Sequence, residues 1–192
     1  MTDTWTAVRL TEARQVAALM GIDRDDQPAQ DVSAHRHYDT LRSGGQRSAA
    51  LDYLGHALPR LEAIAWAARV VADAAAPGSQ PPSPRARHAL DVALRWLEEP
   101  SEAHRRAAGD AAEAISRPLA ERLLASAVFY SGGSIAAVGA APVMPPDHVA
   151  ARYAVGAIRA VAYRGDDPAS ALDRALTLGE RIAERGLAAL AR

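Results

Sequence analysis

Apolar residues recur at helical spacing along nearly the whole chain, and stop signals divide the pattern into segments. Thr11-Glu12 opens a short helix to Met20, and Gly21 is placed to end it in the left-handed conformation. Residues 22–30 are charged, contain Pro28 and read as a loop. A weaker helical pattern runs from Asp31 to Arg42 and ends at Ser43-Gly44-Gly45. From Gln46 to Leu58 the stripe Ala50, Leu51, Leu54, Leu58 predicts a helix. Pro59 then suits the start of the next one, which carries Leu61, Ile64, Ala65, Ala68 and Val71. Residues 77–82 read as an exposed linker.

Ser83-Pro84 is a cap and first-turn pair for a helix with Leu90, Ala93, Leu94 and Leu97 in register, closed by Pro100. Ser101-Glu102 caps another, to about Ile115, rich in Ala and polar residues. Ser116-Arg117-Pro118 starts the helix that buries Ala120, Leu123, Leu124, Ala127 and Val128 and reaches Phe129 and Tyr130. Asp147 caps a helix apolar nearly all round, through Val149, Tyr153, Val155, Ala157, Ile158 and Val161, which predicts a central, buried element. Gly156 would allow a close neighbour there. Asp167-Pro168 caps the last helix, whose stripe runs from Leu172 to Gly186, Leu187 and Leu190.

The pattern breaks most clearly between the last two of the buried helices. Phe129-Tyr130-Ser131-Gly132-Gly133-Ser134-Ile135 leads into a Gly, Ser and Pro segment that ends at Val143-Met144-Pro145-Pro146-Asp147. A connection of about fifteen residues exceeds the usual span between helices, and such loops commonly carry function.

No period-two alternation appears, so the fold expected is all-α: an irregular bundle of about eight or nine helices. Ala-Leu-Asp recurs at 50, 89 and 171, offsets of 39 and 82 residues, which leaves open a HEAT-like stacking of helix pairs. The division expected is a short N-terminal helix and loop over 1–30 and a single helical domain over 31–192.

Composition narrows the chemistry. Cysteine is absent, which removes disulfides, thiolate metal sites and cysteine nucleophiles. All 22 cationic side chains are Arg, so P-loop, Schiff-base and Ser-Lys chemistries are closed as well. Net charge is −1, with Arg and acidic residues interspersed, which argues against a nucleic-acid partner. The stretch from Val149 to Tyr163 is too short to span a bilayer and is interrupted by Arg152 and Arg159. No signal peptide is evident at Met1-Thr2-Asp3-Thr4-Trp5, and a cytoplasmic location is expected.

The remaining constellations are weak. Gly132-Gly133-Ser134-Ile135-Ala136 approximates a nucleophile elbow, but a helix precedes it, and His148 is the single later histidine. The same glycines could cradle an anion, although no helix starts directly after them. Their simpler use is steric, with one of them taking positive φ at the helix end. Asp31, His35 and Asp39 would share a helix face, as would Asp52 and His56, in spacings able to touch a divalent ion. Surface pairs of this kind are common, and no metal or cofactor is expected. Trp66 and Trp96 lie beside apolar stripes and read as core. Arg105-Arg106 reads as part of a solvated face.

Several elements together are familiar: His56-Ala57-Leu58-Pro59 with Ile64-Ala65-Trp66; Trp96 with Pro100-Ser101-Glu102-Ala103; Ala127-Val128-Phe129-Tyr130-Ser131-Gly132-Gly133-Ser134; and the Pro-rich approach to Ala150-Ala151. Over roughly residues 36–190 the chain resembles an uncharacterised bacterial family of helical proteins, a domain of unknown function marked by the Phe-Tyr-Ser-Gly-Gly-Ser element. Ala136-Ala137-Val138 departs from it where an early Pro is expected. The resemblance implies gene neighbourhoods of type VI secretion systems and brings no catalytic residues. The expected role is therefore a non-enzymatic interaction factor: an accessory, adaptor or immunity-like protein whose partner is another protein, such as a secretion-system component or effector. Phe129, Tyr130, Ser131, Gly132, Gly133 and Ser134, with part of the Pro-rich loop, are the expected binding residues. The alternative is a small-molecule binder or cryptic enzyme with a pocket capped by residues 131–146.

Overall fold

A computed structural model describes residues 5–76 and 81–191. Most of the linker expected at 77–82 lies outside the described residues, as do the first four residues of the chain. Among the described residues there are nine α-helices and no named strand. They are α1 (Ala13–Leu19), α2 (Ala34–Ser43), α3 (Arg47–Ala57), α4 (Arg60–Ala74), α5 (Pro84–Glu98), α6 (Glu102–Glu113), α7 (Ala120–Phe129), α8 (His148–Ala162) and α9 (Pro168–Arg185). A 3-10 turn, Gly186–Leu190, follows α9. No described helix is long and apolar enough to cross a membrane.

The boundaries follow local chemistry. Ser33, Ser83, Ser101 and Asp167 each accept a hydrogen bond from the amide three residues on, which satisfies a first-turn N–H that would otherwise be orphaned. Because Ser33 is the cap, α2 starts at Ala34, later than the pattern from Asp31 suggested. At the other end of the chain Gly186 takes φ +61 and ends α9. That turn throws Leu187 outward, to 40% exposure, so the stripe expected to continue through it does not.

α8 is the central helix, as its all-round apolar pattern required. It packs against α3, α4, α7 and α9, while α5 and α6 close over α7. α9 returns to touch α3 and α4, so helices distant in sequence share one core. A stack of helix pairs would confine contacts to neighbouring units; the architecture is an irregular bundle. Trp66, fully buried on α4, fixes the return of α9 by donating its indole N–H to the Ala175 carbonyl at 2.8 Å. At the rim, Tyr38 donates to Glu180 at 2.7 Å, and Arg42 and Arg47 both reach Asp173.

The close approach to α8 does not occur at Gly156, where an added Cβ would meet only Leu123 at an ordinary 3.7 Å. It occurs at Gly55 of α3, where a Cβ would lie 2.2 Å from Val155 Cγ2. The bulk of Val155 sits in the space that this glycine leaves.

The N-terminal segment is packed onto the bundle. Trp5 is buried against His35 and Tyr38, with ring centroids 4.9 and 5.2 Å away. Ala7 N–H donates to the Ala183 carbonyl at 2.9 Å, and an isolated bridge pairs Glu12 with Ser33.

Candidate functional site

The last helical turn of α7 sends its two aromatics to different neighbours. Phe129 lies over Gly109 of α6, so closely that a Cβ there would be 2.6 Å from its ring. Tyr130 stacks on Tyr153 of α8, with centroids 5.2 Å apart and planes 4° from parallel. Both are half-buried and act as seam residues between helices.

Carbonyls at a helix end have no intrahelical partner, and cationic side chains favour that end of the dipole. Here Arg105 of α6 supplies both needs. It donates to the Phe129 carbonyl and, at 2.8 Å, to the Ser134 carbonyl, and its guanidinium stands 5.0 Å over the Phe129 ring. Arg106 adds bonds to Ser134 at 3.1 Å and Ala136 at 3.0 Å. Glu102, one turn earlier, accepts from Arg105 at 2.6 and 2.7 Å and from Arg106 at 2.8 Å. Those bonds to Arg105, and then to Arg106, hold the Glu102 carboxyl down to about 2 from its ordinary 4.5.

The solvated-face reading of the arginine pair therefore fails for Arg105, which is 4% exposed. An adjacent Arg pair on an Ala-rich helix gives no sign of which way it turns. What draws Arg105 inward is the Phe129 carbonyl at the end of α7 together with the Ser134 carbonyl of the loop beyond it, a tertiary feature.

Gly133 makes the chain's turn possible. Its φ is +62, where a side chain is strained, and a Cβ would come within 3.0 Å of both Arg105 and Glu102. Ser134 then closes the loop. Its Oγ accepts from the amides of Ala136 at 3.1 Å and Val143 at 3.0 Å, and Ile135 N–H donates to the Val143 carbonyl at 2.8 Å. Arg60 of α4 clasps both ends of the connection, through the Ser131 carbonyl at 3.0 Å and the Asp147 carboxylate.

Residues 129–134 are thus brought together as a buckle. They hold up the segment beyond them, where Val138 is 85% exposed, Met144 63% and Val143 52%. Within the loop these three are the large apolar side chains turned to solvent. The signal for them was present in sequence, as large apolar residues inside a Pro and Gly segment where no helix can bury them.

The other constellations disperse. Ser134 Oγ is occupied by two amides, and no histidine hydrogen-bonds it among the described residues. Asp31 precedes α2, leaving a half-buried His35 beside an exposed Asp39 at 3.5 Å. Asp52 turns to Arg159 at 2.9 Å, while His56 turns inward with Nδ1 on the Asp52 carbonyl at 2.7 Å. Among the described residues no group of three His, Cys, Asp or Glu could hold a metal ion.

No curated protein and no solved structure matches the chain. A family model does match, over residues 37–183, from the first half of α2 to the last turn of α9. That span contains the whole buckle and the loop it supports. The chain belongs to the family of unknown function DUF6931.

Proposed function

We propose that this protein is a non-enzymatic protein-interaction factor, with residues 135–146 as its contact surface. The observation that carries the reading is the pairing of exposure with restraint. Val138, Val143 and Met144 face solvent on a loop whose neck is pinned by Ser134 and whose base is tied by Arg105, Arg106 and Arg60. Burying each of those side chains against a partner is worth roughly 1.5–3 kcal/mol. A loop already held in shape loses less entropy on binding than a free one.

The chemistry around it fits such a role. The one serine placed like a nucleophile is used as an internal acceptor, and no metal cluster forms among the described residues. The partner in this reading is another protein rather than nucleic acid or a membrane, and the location is the cytoplasm. The resemblance to proteins of type VI secretion neighbourhoods makes a secretion-system component or an effector the partner class, with this chain as accessory, adaptor or immunity-like factor.

The test is a pull-down from the native host with wild type and with Val138→Asp/Met144→Asp, which touches neither neck nor base. A partner retained by wild type and lost with the double variant, at unchanged melting temperature, supports the reading. Identical partner sets would end it.

A further inference from the structure

α9 sorts its charges by face. Asp173 and Glu180 turn to α2 and α3, where Arg42 takes both and Arg47 takes Asp173 as well. Arg174 and Arg181 are seven residues apart, so they share another side of the helix. That side lines a groove between α4, α9 and the end of α8. Two openings form it, of about 390 and 330 Å³, and they share Asp73, Arg174 and Leu178, so they are continuous.

One end of the groove is apolar. Three alanines line it, Ala74, Ala171 and Ala175, with three larger residues, Val70, Val161 and Leu178. The larger three are half-buried, packed against the core yet still open to solvent. Ala171, Ala175 and Leu178 are spaced i, i+4, i+7, and Val70 and Ala74 i, i+4, so two helix ridges flank a furrow of the kind a third helix fills. The alanines leave room for larger side chains from such a helix. From Ala171 to Arg181 the furrow runs about 15 Å, the rise of roughly ten helical residues.

The other end is cationic. Arg69, Arg174 and Arg181 line the groove against one carboxylate, Asp73. Asp73 is already held by Arg69 at 2.9 Å. Arg174 has no hydrogen bond or ion pair among the described residues, and Arg181 has one long contact, to the Ala189 carbonyl at 3.5 Å. Asp167 feels Arg174 through space, but its carboxylate is bonded to the Ser170 amide at 3.0 Å. The residues that follow α4, Pro77-Gly78-Ser79-Gln80, bring no carboxylate. Two uncompensated cations therefore stand beside an apolar furrow, on a chain whose net charge is −1.

We propose that this groove docks an acidic amphipathic helix of a partner protein, its apolar residues on Val70, Val161 and Leu178 and its carboxylates, two turns apart, on Arg174 and Arg181. The planar guanidinium fits a carboxylate through two parallel bonds, and the pair of charges fixes the register of the incoming helix. Apolar anchors at i, i+3 or i+4, and i+7 are the recurring way a helix is read by such a groove. None of residues 131–146 lines it, so this surface stands or falls separately from the loop.

The experiment is selection of displayed peptides of about 14 residues from a random library on the full chain, with Arg174→Glu/Arg181→Glu as the counter-target. Enriched peptides should carry Leu, Ile or Phe at the anchor spacing and Glu or Asp two turns apart. They should bind wild type at least roughly tenfold more tightly than the double variant, and more weakly as salt rises. The same peptides with Lys for Glu should recover binding to the double variant, which a misfolded variant could not show. Wild-type methyl NMR, which needs no variant, should move Val161 and Leu178 and leave Val138 in place. Enriched peptides without acidic residues, equal binding to both proteins, no recovery by the Lys peptides, or unmoved Val161 and Leu178 methyls would each overturn the proposal. So would a wild-type dimer that the double variant loses, which assigns the face to a second copy. Binding to phosphatidylglycerol vesicles with no peptide enriched would assign it to a membrane and overturn the proposal too.

Discussion

Arg105→Met would remove the guanidinium while keeping most of the apolar stem. Its side chain makes two bonds to loop carbonyls, Phe129 and Ser134, in a site where the residue is 4% exposed. A bond from a charged donor contributes about 1.5–3 kcal/mol, and the carbonyl left behind carries a desolvation cost. Ser134 keeps Arg106, so the Phe129 bond counts in full and the Ser134 bond in part. Stacking over the Phe129 ring adds about 0.5–2 kcal/mol. The bonds to Glu102 add little, because that carboxylate is 56% exposed and solvated once released. The expected loss is about 3 kcal/mol, a large share of the stability of an ordinary domain. Urea unfolding measures it as a lower midpoint at constant slope. Hydrogen exchange should locate it, with the Ala136 and Val143 amides speeding up more than those inside α8. A midpoint within about 0.5 kcal/mol of wild type would refute the claim that Arg105 holds the buckle.

Three further outcomes are expected. Gly55→Ala should destabilise by about 1–3 kcal/mol, since its Cβ would sit 2.2 Å from Val155 Cγ2, and this outweighs the gain of about 1 kcal/mol in helix propensity. Adding Val155→Ala should recover part of that loss, so simple additivity in a double-mutant cycle would contradict the packing described. Tyr53→Phe should be neutral or stabilising by up to about 1 kcal/mol, because the hydroxyl is buried without a hydrogen-bond partner among the described residues; a loss above that in chemical denaturation would mean the hydroxyl is satisfied. Glu102, with its pKa depressed from 4.5 to about 2, contributes stability that is full above its unfolded value and is lost as pH falls through that window. Wild type should therefore lose up to about 1 kcal/mol more than Glu102→Gln between those pH values, the amount being small because the group is exposed.

The helices were readable because their ends are local chemistry. Ser83-Pro84 and Asp167-Pro168 each supply a cap and a first-turn Pro from adjacent residues, and the apolar faces of α4 and α8 announce burial by period alone. The break after Phe129 was readable for the same reason, down to a glycine at positive φ. What stayed hidden depends on partners. Arg105 looks like Arg106 until the end of α7 is placed beside it. Gly55 matters because Val155 arrives there, which no spacing within α3 encodes. His56 paired with Asp52 in sequence, yet it bonds that residue's carbonyl while the carboxylate serves Arg159. Within the expected binding stretch, residues 129–134 form the support, and the exposed apolar side chains lie a few positions further on.

The most direct test of the central claim, that the buckle displays Val138, Val143 and Met144 to a protein partner, is in-cell photocrosslinking from position 144 in the native host. A crosslinked protein should appear from position 144, be absent from a control position at Asp91 on α5, and weaken when Arg105→Met loosens the base. No product above the control, or a product indifferent to Arg105→Met, would contradict it.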